Sequence, residues 1–199
     1  MTYPEQGSAH HYDLASFQAY ADRTGLDPKS TVYVGTRYEY NVALALLKYG
    51  LSLKRVGRAS DHGIDLLGTW RLPTRPDGLK VLVQCKAGAQ RVAPHLVREL
   101  EGAFVGAPPG WRGSGVLGFL VSEKTATKGV RESLGRSRWP MGSVCCSSDG
   151  TVSQILWNRR AEEEGLDGMG VGMRYSQGGD GTPRLVLTWK GKQLPPLDD

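Results

Sequence analysis

The sequence predicts an α/β fold, a three-layer α/β/α sandwich whose core elements follow the order αβββαβ. Tyr33 to Gly50 carries apolar residues at helical spacing and closes with a glycine. Three strand-like segments follow. After a second helical pattern comes Gly115 to Ser122, a short apolar run typical of a strand buried in a parallel or mixed sheet. Such strands need cover on both sides, so we expect helices on both faces of the sheet.

The individual elements are predicted from periodicity and from the residues that end them. Asp13 is the expected N-cap of a short first helix that ends at Gly25. The three core strands are expected as a meander over 51–56, 63–70 and 79–86, with a turn over 73–78. Further helices are predicted over 94–105 and 125–134, and further strands over 143–146, 152–157 and 184–189.

The chain of 199 residues fits one domain with two appended segments. Residues 1–30 form an N-terminal extension with the short helix, and residues 31–160 form the main α/β domain. Residues 161–199 are predicted as a flexible Gly-rich loop and a last strand packed on the same domain.

Composition limits the partners. A net charge of +5 and a pI near 9.2 favour polyanions, since Lys and Arg neutralise phosphates. Three cysteines are too few for a disulfide framework and favour a reducing compartment. No apolar run is long enough for a membrane span, and the first residues, Met1 to Ser8, show neither the apolar core of a signal peptide nor the Arg-rich pattern of a transit peptide.

The most specific pattern is an acidic residue followed, one strand later, by a Gln and a Lys. Asp65 lies on the second core strand, and Gln84 and Lys86 lie at the end of the third. In an antiparallel hairpin Asp65 and Gln84 would lie side by side, with Lys86 one pleat further on the same face. Alternatively, Asp65 is an ordinary turn carboxylate and Lys86 a solvated strand end.

These residue types suit hydrolysis of a phosphodiester, which needs a hard cation, oxygen ligands and a positive charge near the phosphate. Asp65, the amide oxygen of Gln84 and the backbone carbonyl of Cys85 are the predicted ligands of Mg²⁺ or Mn²⁺. Lys86 supplies the ammonium, and Glu39 on the preceding helix is a candidate second carboxylate.

Two resemblances extend this interpretation. The run from the G-x-x-Y-E start of a helix through D-x-G-x-D, which ends at Asp65, to Val83-Gln84-Cys85-Lys86 resembles Mrr-type restriction endonucleases of the PD-(D/E)xK superfamily. From about His11 to Arg174 the chain is similar to a fungal mitochondrial family required for respiratory growth. The phrases that carry this second resemblance are DPKSTVYVGTRYEY, DLLGTW, VQCKAG, RELEGAF, GAPPGWRG and RSRWPMG.

The resemblance implies a restriction-endonuclease-like fold, a mitochondrial setting and DNA nuclease activity. By motif it assigns Asp65, Gln84 and Lys86 as active-site positions and Glu39 as the helix carboxylate. The neutral Gln84 departs from the commoner acidic residue of the superfamily, which leaves open a weakly active or inactive site.

Basic residues after the fourth core strand are the candidate nucleic-acid contacts. A solvated basic face is the alternative interpretation. The helix before them carries Glu99 and Glu101, which are interpreted as part of a half-exposed helix face without a chemical role. The candidate contacts are Lys124, Lys128, Arg131, Arg136 and Arg138.

The leading hypothesis is a metal-dependent DNA endonuclease acting in maintenance of mitochondrial DNA. The alternatives are a catalytically weak or inactive nuclease-fold protein that binds DNA, and an RNA-processing nuclease, since nothing in the sequence reads a 2′-hydroxyl. Many nucleases of this fold act as dimers, so a homodimer is left open.

Overall fold

A six-stranded mixed sheet forms the centre of the computed structural model, which describes residues 8–56, 63–89, 91–175 and 183–195. Strands β3, β4 and β5 are parallel, whereas the flanking pairs β1–β2, β2–β3 and β5–β6 are antiparallel. This confirms the mixed α/β class. In chain order, which is also sheet order, the strands are β1 (Leu51–Arg55), β2 (Leu66–Leu72), β3 (Arg75–Lys86), β4 (Val116–Ser122), β5 (Met141–Cys146) and β6 (Val152–Trp157).

Helices cover both faces of this sheet. The long helix α2 (Thr31–Leu47) packs Tyr38, Val42 and Leu46 into the core on one face. The core on the other face is built with α3 (Pro94–Gly106) and α4 (Lys128–Arg136). Alternation along β3 divides its side chains between the cores, so that Val81 and Val83 belong to the first and Leu82 to the second.

Side-chain caps fix where the helices begin. Helix α1 (Leu14–Thr24) starts at Asp13, whose carboxylate accepts the backbone N–H of Ser16, and ends at Gly25 with a left-handed φ of 65°. The hydroxyls of Ser30 and Thr127 cap α2 and α4 in the same manner. The predicted positions of these helices are confirmed to within a few residues.

The central hairpin is longer than expected at its closed end. The turn predicted over residues 73–78 is wrong in extent, because β3 already begins at Arg75 and Leu72 pairs with Arg75. A register shift between Trp70 and Leu72 lets the chain reverse within two residues. At the open end β2 begins at Leu66, so residues 63–65 lead into the strand.

The C-terminal segment forms a second sheet. Its strands are β7 (Met169–Tyr175), β8 (Pro183–Trp189) and β9 (Lys192–Gln193), and Leu185 and Leu187 of β8 enter the core that α2 covers. The prediction of a flexible loop is therefore wrong over β7. Glycines alternate there with Met169, Val171 and Met173, a period-two pattern that the glycine content obscured.

Within the described ranges, no helix combines the length and the apolar character that a membrane crossing requires.

Candidate functional site

Asp65 is held against the end of β3 by backbone hydrogen bonds on both sides. Its N–H donates to the carbonyl of Val83 at 2.9 Å, and its carbonyl accepts the N–H of Val56 at 2.9 Å. Its carboxylate Oδ2 also accepts the backbone N–H of Cys85 at 2.6 Å. The paired register of the hairpin ends with Leu66 opposite Val83, so Asp65 precedes the ladder and is bonded to Val83 and Cys85. The predicted side-by-side placement of Asp65 and Gln84 stays a prediction.

Gln84 is a buried polar side chain at this position, with only 4% of its surface exposed. Its Nε2 lies 3.4 Å from Oε2 of Glu99, whereas its Oε1 is buried and has no hydrogen-bond partner in the described part of the chain. Gly63, with φ at 79°, makes room for this amide, because a Cβ there would stand 3.1 Å from Nε2.

Lys86 lies on the same face of β3 as Gln84 and forms an ion pair with α3. Its Nζ is 3.0 Å from Oε2 of Glu99, and the two side chains are 38% and 45% exposed. One carboxylate oxygen therefore faces both predicted site residues of β3. Ion pairs with this exposure contribute about 1 kcal/mol or less, so Lys86 can change partner at little cost.

Glu39 lies on α2, on the other face of the sheet, and pairs with Arg55 at the end of β1. Burial raises the pKa of the Cys85 thiol, and the negative charges of Asp65 and Glu39 raise it further. Both carboxylates are thus within electrostatic reach of one residue of β3. The thiol of Cys85 stays protonated, which leaves its backbone carbonyl as the group that can bind a cation.

Glu99 is the site residue that sequence reasoning missed. The spacing of Glu99 in the sequence indicates a half-exposed helix face without a chemical role. The available signal is the short connection: α3 begins at Pro94, eight residues after Lys86, so its first turns pass close to the end of β3. Asp61 and His62, which belong to the D-x-G-x-D motif, lie outside the described residues.

The five predicted nucleic-acid contacts are all exposed, but they do not form one cluster. Two of them follow the carboxyl end of β4, and two precede the start of β5 at the other end of the strands. Lys124 and Lys128 follow the carboxyl end of β4, whose Ser122 pairs with Lys86. Arg131 lies one turn further along α4. Arg136 ends α4, about 12 Å along the helix axis from Lys128, and Arg138 lies between α4 and β5.

The architecture and the site together define a mixed α/β protein with one acidic, one amide and one ammonium side chain at the open end of a central hairpin. The sequence profile described as "Required for respiratory growth protein 7" matches residues 30–78 and 74–175. The chain belongs to this family. No solved structure matches it.

Curated fungal relatives agree with this assignment. The chain is 30% identical over 158 residues, or 77% of its length, to an uncharacterized mitochondrial protein of Schizosaccharomyces pombe. It is similar to the mitochondrial Required for respiratory growth protein 7 of Eremothecium gossypii (35% identity over 49% of this chain) and of Vanderwaltozyma polyspora (31% over 38%). The matches cover 62%, 55% and 47% of these relatives. Their names support a mitochondrial localisation, as the resemblance implies.

The Gly63 contact can be tested with a matched pair of glycines. Gly63→Ala should lower the free energy of unfolding by about 1 kcal/mol or more, because φ is positive, and should shift the side-chain amide resonances of Gln84. At Gly88, where φ is 101°, an added Cβ meets nothing within 4 Å. Gly88→Ala should therefore lower the free energy of unfolding through backbone strain alone, without shifting the resonances of Gln84. Urea unfolding and ¹⁵N NMR measure both effects, and unshifted Gln84 resonances in Gly63→Ala would contradict the packing.

Proposed function

We propose that this protein is a metal-dependent DNA endonuclease that acts in the maintenance of mitochondrial DNA. The observation that carries the proposal is the juxtaposition of Asp65, Gln84 and Lys86 at one end of the β2–β3 hairpin. The restriction-endonuclease-like fold belongs to the same proposal, and the element order αβββαβ with this D…QxK pattern supports it.

The available oxygen donors fit Mg²⁺ or Mn²⁺. Among the described residues no three His, Cys, Asp or Glu side chains cluster, so a cation here would use mixed ligands. The buried Oε1 of Gln84, which lacks a partner in the described chain, is a hard neutral donor that gains an interaction from a cation. The Asp65 carboxylate and the Cys85 carbonyl would complete the protein ligands. When bound, the cation neutralises the scissile phosphate and acidifies a water molecule.

Lys86 has the mobility and charge that its proposed role requires. Its ammonium is partly exposed and is held by one carboxylate, so an approaching phosphate can take it over from Glu99. There it would orient the attacking water and stabilise the negative charge that develops on the phosphate. Lys124 and Lys128, at the same edge of the sheet, would contact the DNA backbone on either side of the scissile bond.

Cleavage by site variants tests the proposal. The wild type should cut supercoiled, linear, branched or single-stranded DNA with Mg²⁺ or Mn²⁺. Lys86→Ala should reduce cleavage roughly 100- to 1,000-fold while sparing DNA binding, because it removes charge stabilisation at the phosphate. Asp65→Asn should abolish metal-dependent cutting. RNA substrates run in competition test the RNA-processing alternative.

Lys48→Ala is the control, since it removes one exposed ammonium just before β1, whose Leu51 pairs with Trp70 at the end of β2 away from Asp65. Its cleavage rate should equal that of the wild type. Cleavage that survives in Lys86→Ala at the wild-type rate would overturn the assignment of the site.

A second function is favoured by the neutral charge of Gln84 and by the ion pair of Lys86 with Glu99. Both lower the affinity for a cation relative to a site with two free carboxylates. The protein would then be a nuclease-fold protein that binds DNA without cutting it. Its binding surface would include Arg136 and Arg138, which lie at the edge of the sheet away from Lys86.

Charge reversal separates the two functions. In the binding-only case, Arg136→Glu with Arg138→Glu should weaken DNA binding and reduce the slope of log K against log salt by about 2, because two phosphate contacts are lost. Arg23→Glu with Lys29→Glu makes the same charge change near α1 and should leave the slope unchanged. An unaltered slope in the Arg136 and Arg138 variant would remove this surface from consideration.

A further inference from the structure

We propose that Glu99 supplies the second carboxylate of the cation site, the negative charge that Gln84 lacks. The inference rests on the proposed nuclease function and adds to it a ligand from α3 that the D…QxK motif does not include. It assigns the divalent cation to a site formed by β2, β3 and α3.

The position of Glu99 is the first argument. It lies in the second turn of α3, where its Oε2 is 3.4 Å from Nε2 of Gln84 and 3.0 Å from Nζ of Lys86. Two oxygens that share one Mg²⁺ at about 2.1 Å each stand about 3 Å apart at an octahedral right angle. The 3.4 Å separation joins the amide nitrogen of Gln84 to the Glu99 carboxylate, so the two side chains are near enough to share a cation once the amide oxygen occupies the position of that nitrogen.

The amide of Gln84 is the second, independent argument. It is buried, its Nε2 faces Glu99, and its Oε1 has no partner in the described ranges. The two ends of an amide have nearly the same shape, so a half-turn places Oε1 where Nε2 now lies. Oε1 and the Glu99 carboxylate then face the same space, where a cation can bind to both, while Nε2 takes the buried position that Oε1 now occupies.

The ion pair with Lys86 explains how the site is neutralised when no cation is bound. Lys86 balances the charge of Glu99 through a contact that solvent weakens. With a cation bound, Glu99 would no longer need Lys86 as its counter-charge, and the ammonium of Lys86 would be available to the phosphate. Cation binding and the catalytic placement of Lys86 are coupled through Glu99 in this arrangement.

Binding of Mn²⁺ to the full chain, measured by electron paramagnetic resonance without DNA, tests the proposal. Glu99→Gln should weaken binding roughly tenfold or more, the scale of lost partners in metal sites. Glu99→Asp keeps the charge but shortens the side chain, so it should also weaken binding. The double variant Gln84→Glu with Glu99→Gln moves the carboxylate to β3 and should restore much of the affinity. Glu132→Gln, an exposed carboxylate on α4, is the matched control and should bind as the wild type does.

The outcomes distinguish this inference from the proposed function. If the wild type does not bind Mn²⁺, or if Asp65→Asn binds it unchanged, the proposed function and this inference both fail. If Asp65→Asn abolishes binding while a folded Glu99→Gln, checked by its melting temperature, binds normally, only the assignment of Glu99 is overturned. Full affinity in Glu99→Asp would show that Glu99 acts through its charge alone, which also overturns direct ligation.

Discussion

The hydrogen bond from the backbone N–H of Cys85 to the carboxylate of Asp65 ties the entry of β2 to the end of β3. The pairing of Leu66 with Val83 sets the same register through the backbone. A shift of one residue would move every side chain of β3 to the opposite face, so Gln84 and Lys86 would face α2 instead of α3. The position of each site residue therefore depends on this register, which the two apolar cores on either side of the sheet enforce.

The parallel pairing of β3 with β4 has a second consequence for the site. A parallel connection requires a crossover, and the crossover helix α3 begins close to the end of β3. Glu99 is brought over Gln84 and Lys86 for this reason. The site thus combines a buried amide, a backbone-anchored carboxylate and a solvent-accessible ion pair. This gradient from buried to exposed suits a cation held by the protein and a phosphate that arrives from solvent.

The fold was predictable where one local pattern dominates, as in α2, β4 and the β2–β3 hairpin. The strand β7 was not, because glycines at alternate positions hide its period of two, and its stability comes from pairing with β8. Glu99 could not be assigned because its role depends on the crossover geometry. The basic residues on α4 are close in sequence, but the helix places Lys128 near the end of β4 and Arg136 near the start of β5, at opposite ends of the parallel strands. The spacing of apolar residues along the chain does not indicate how far apart two exposed residues lie in the fold.

Paramagnetic broadening of backbone amides by substoichiometric Mn²⁺ in the full chain would locate a divalent cation site at the open end of the β2–β3 hairpin. The amides of Gln84, Cys85 and Glu99 should lose intensity first, at concentrations where Glu132 and Glu163 are unchanged. Broadening that begins at such exposed carboxylates, with Gln84 and Cys85 unaffected, would contradict this prediction.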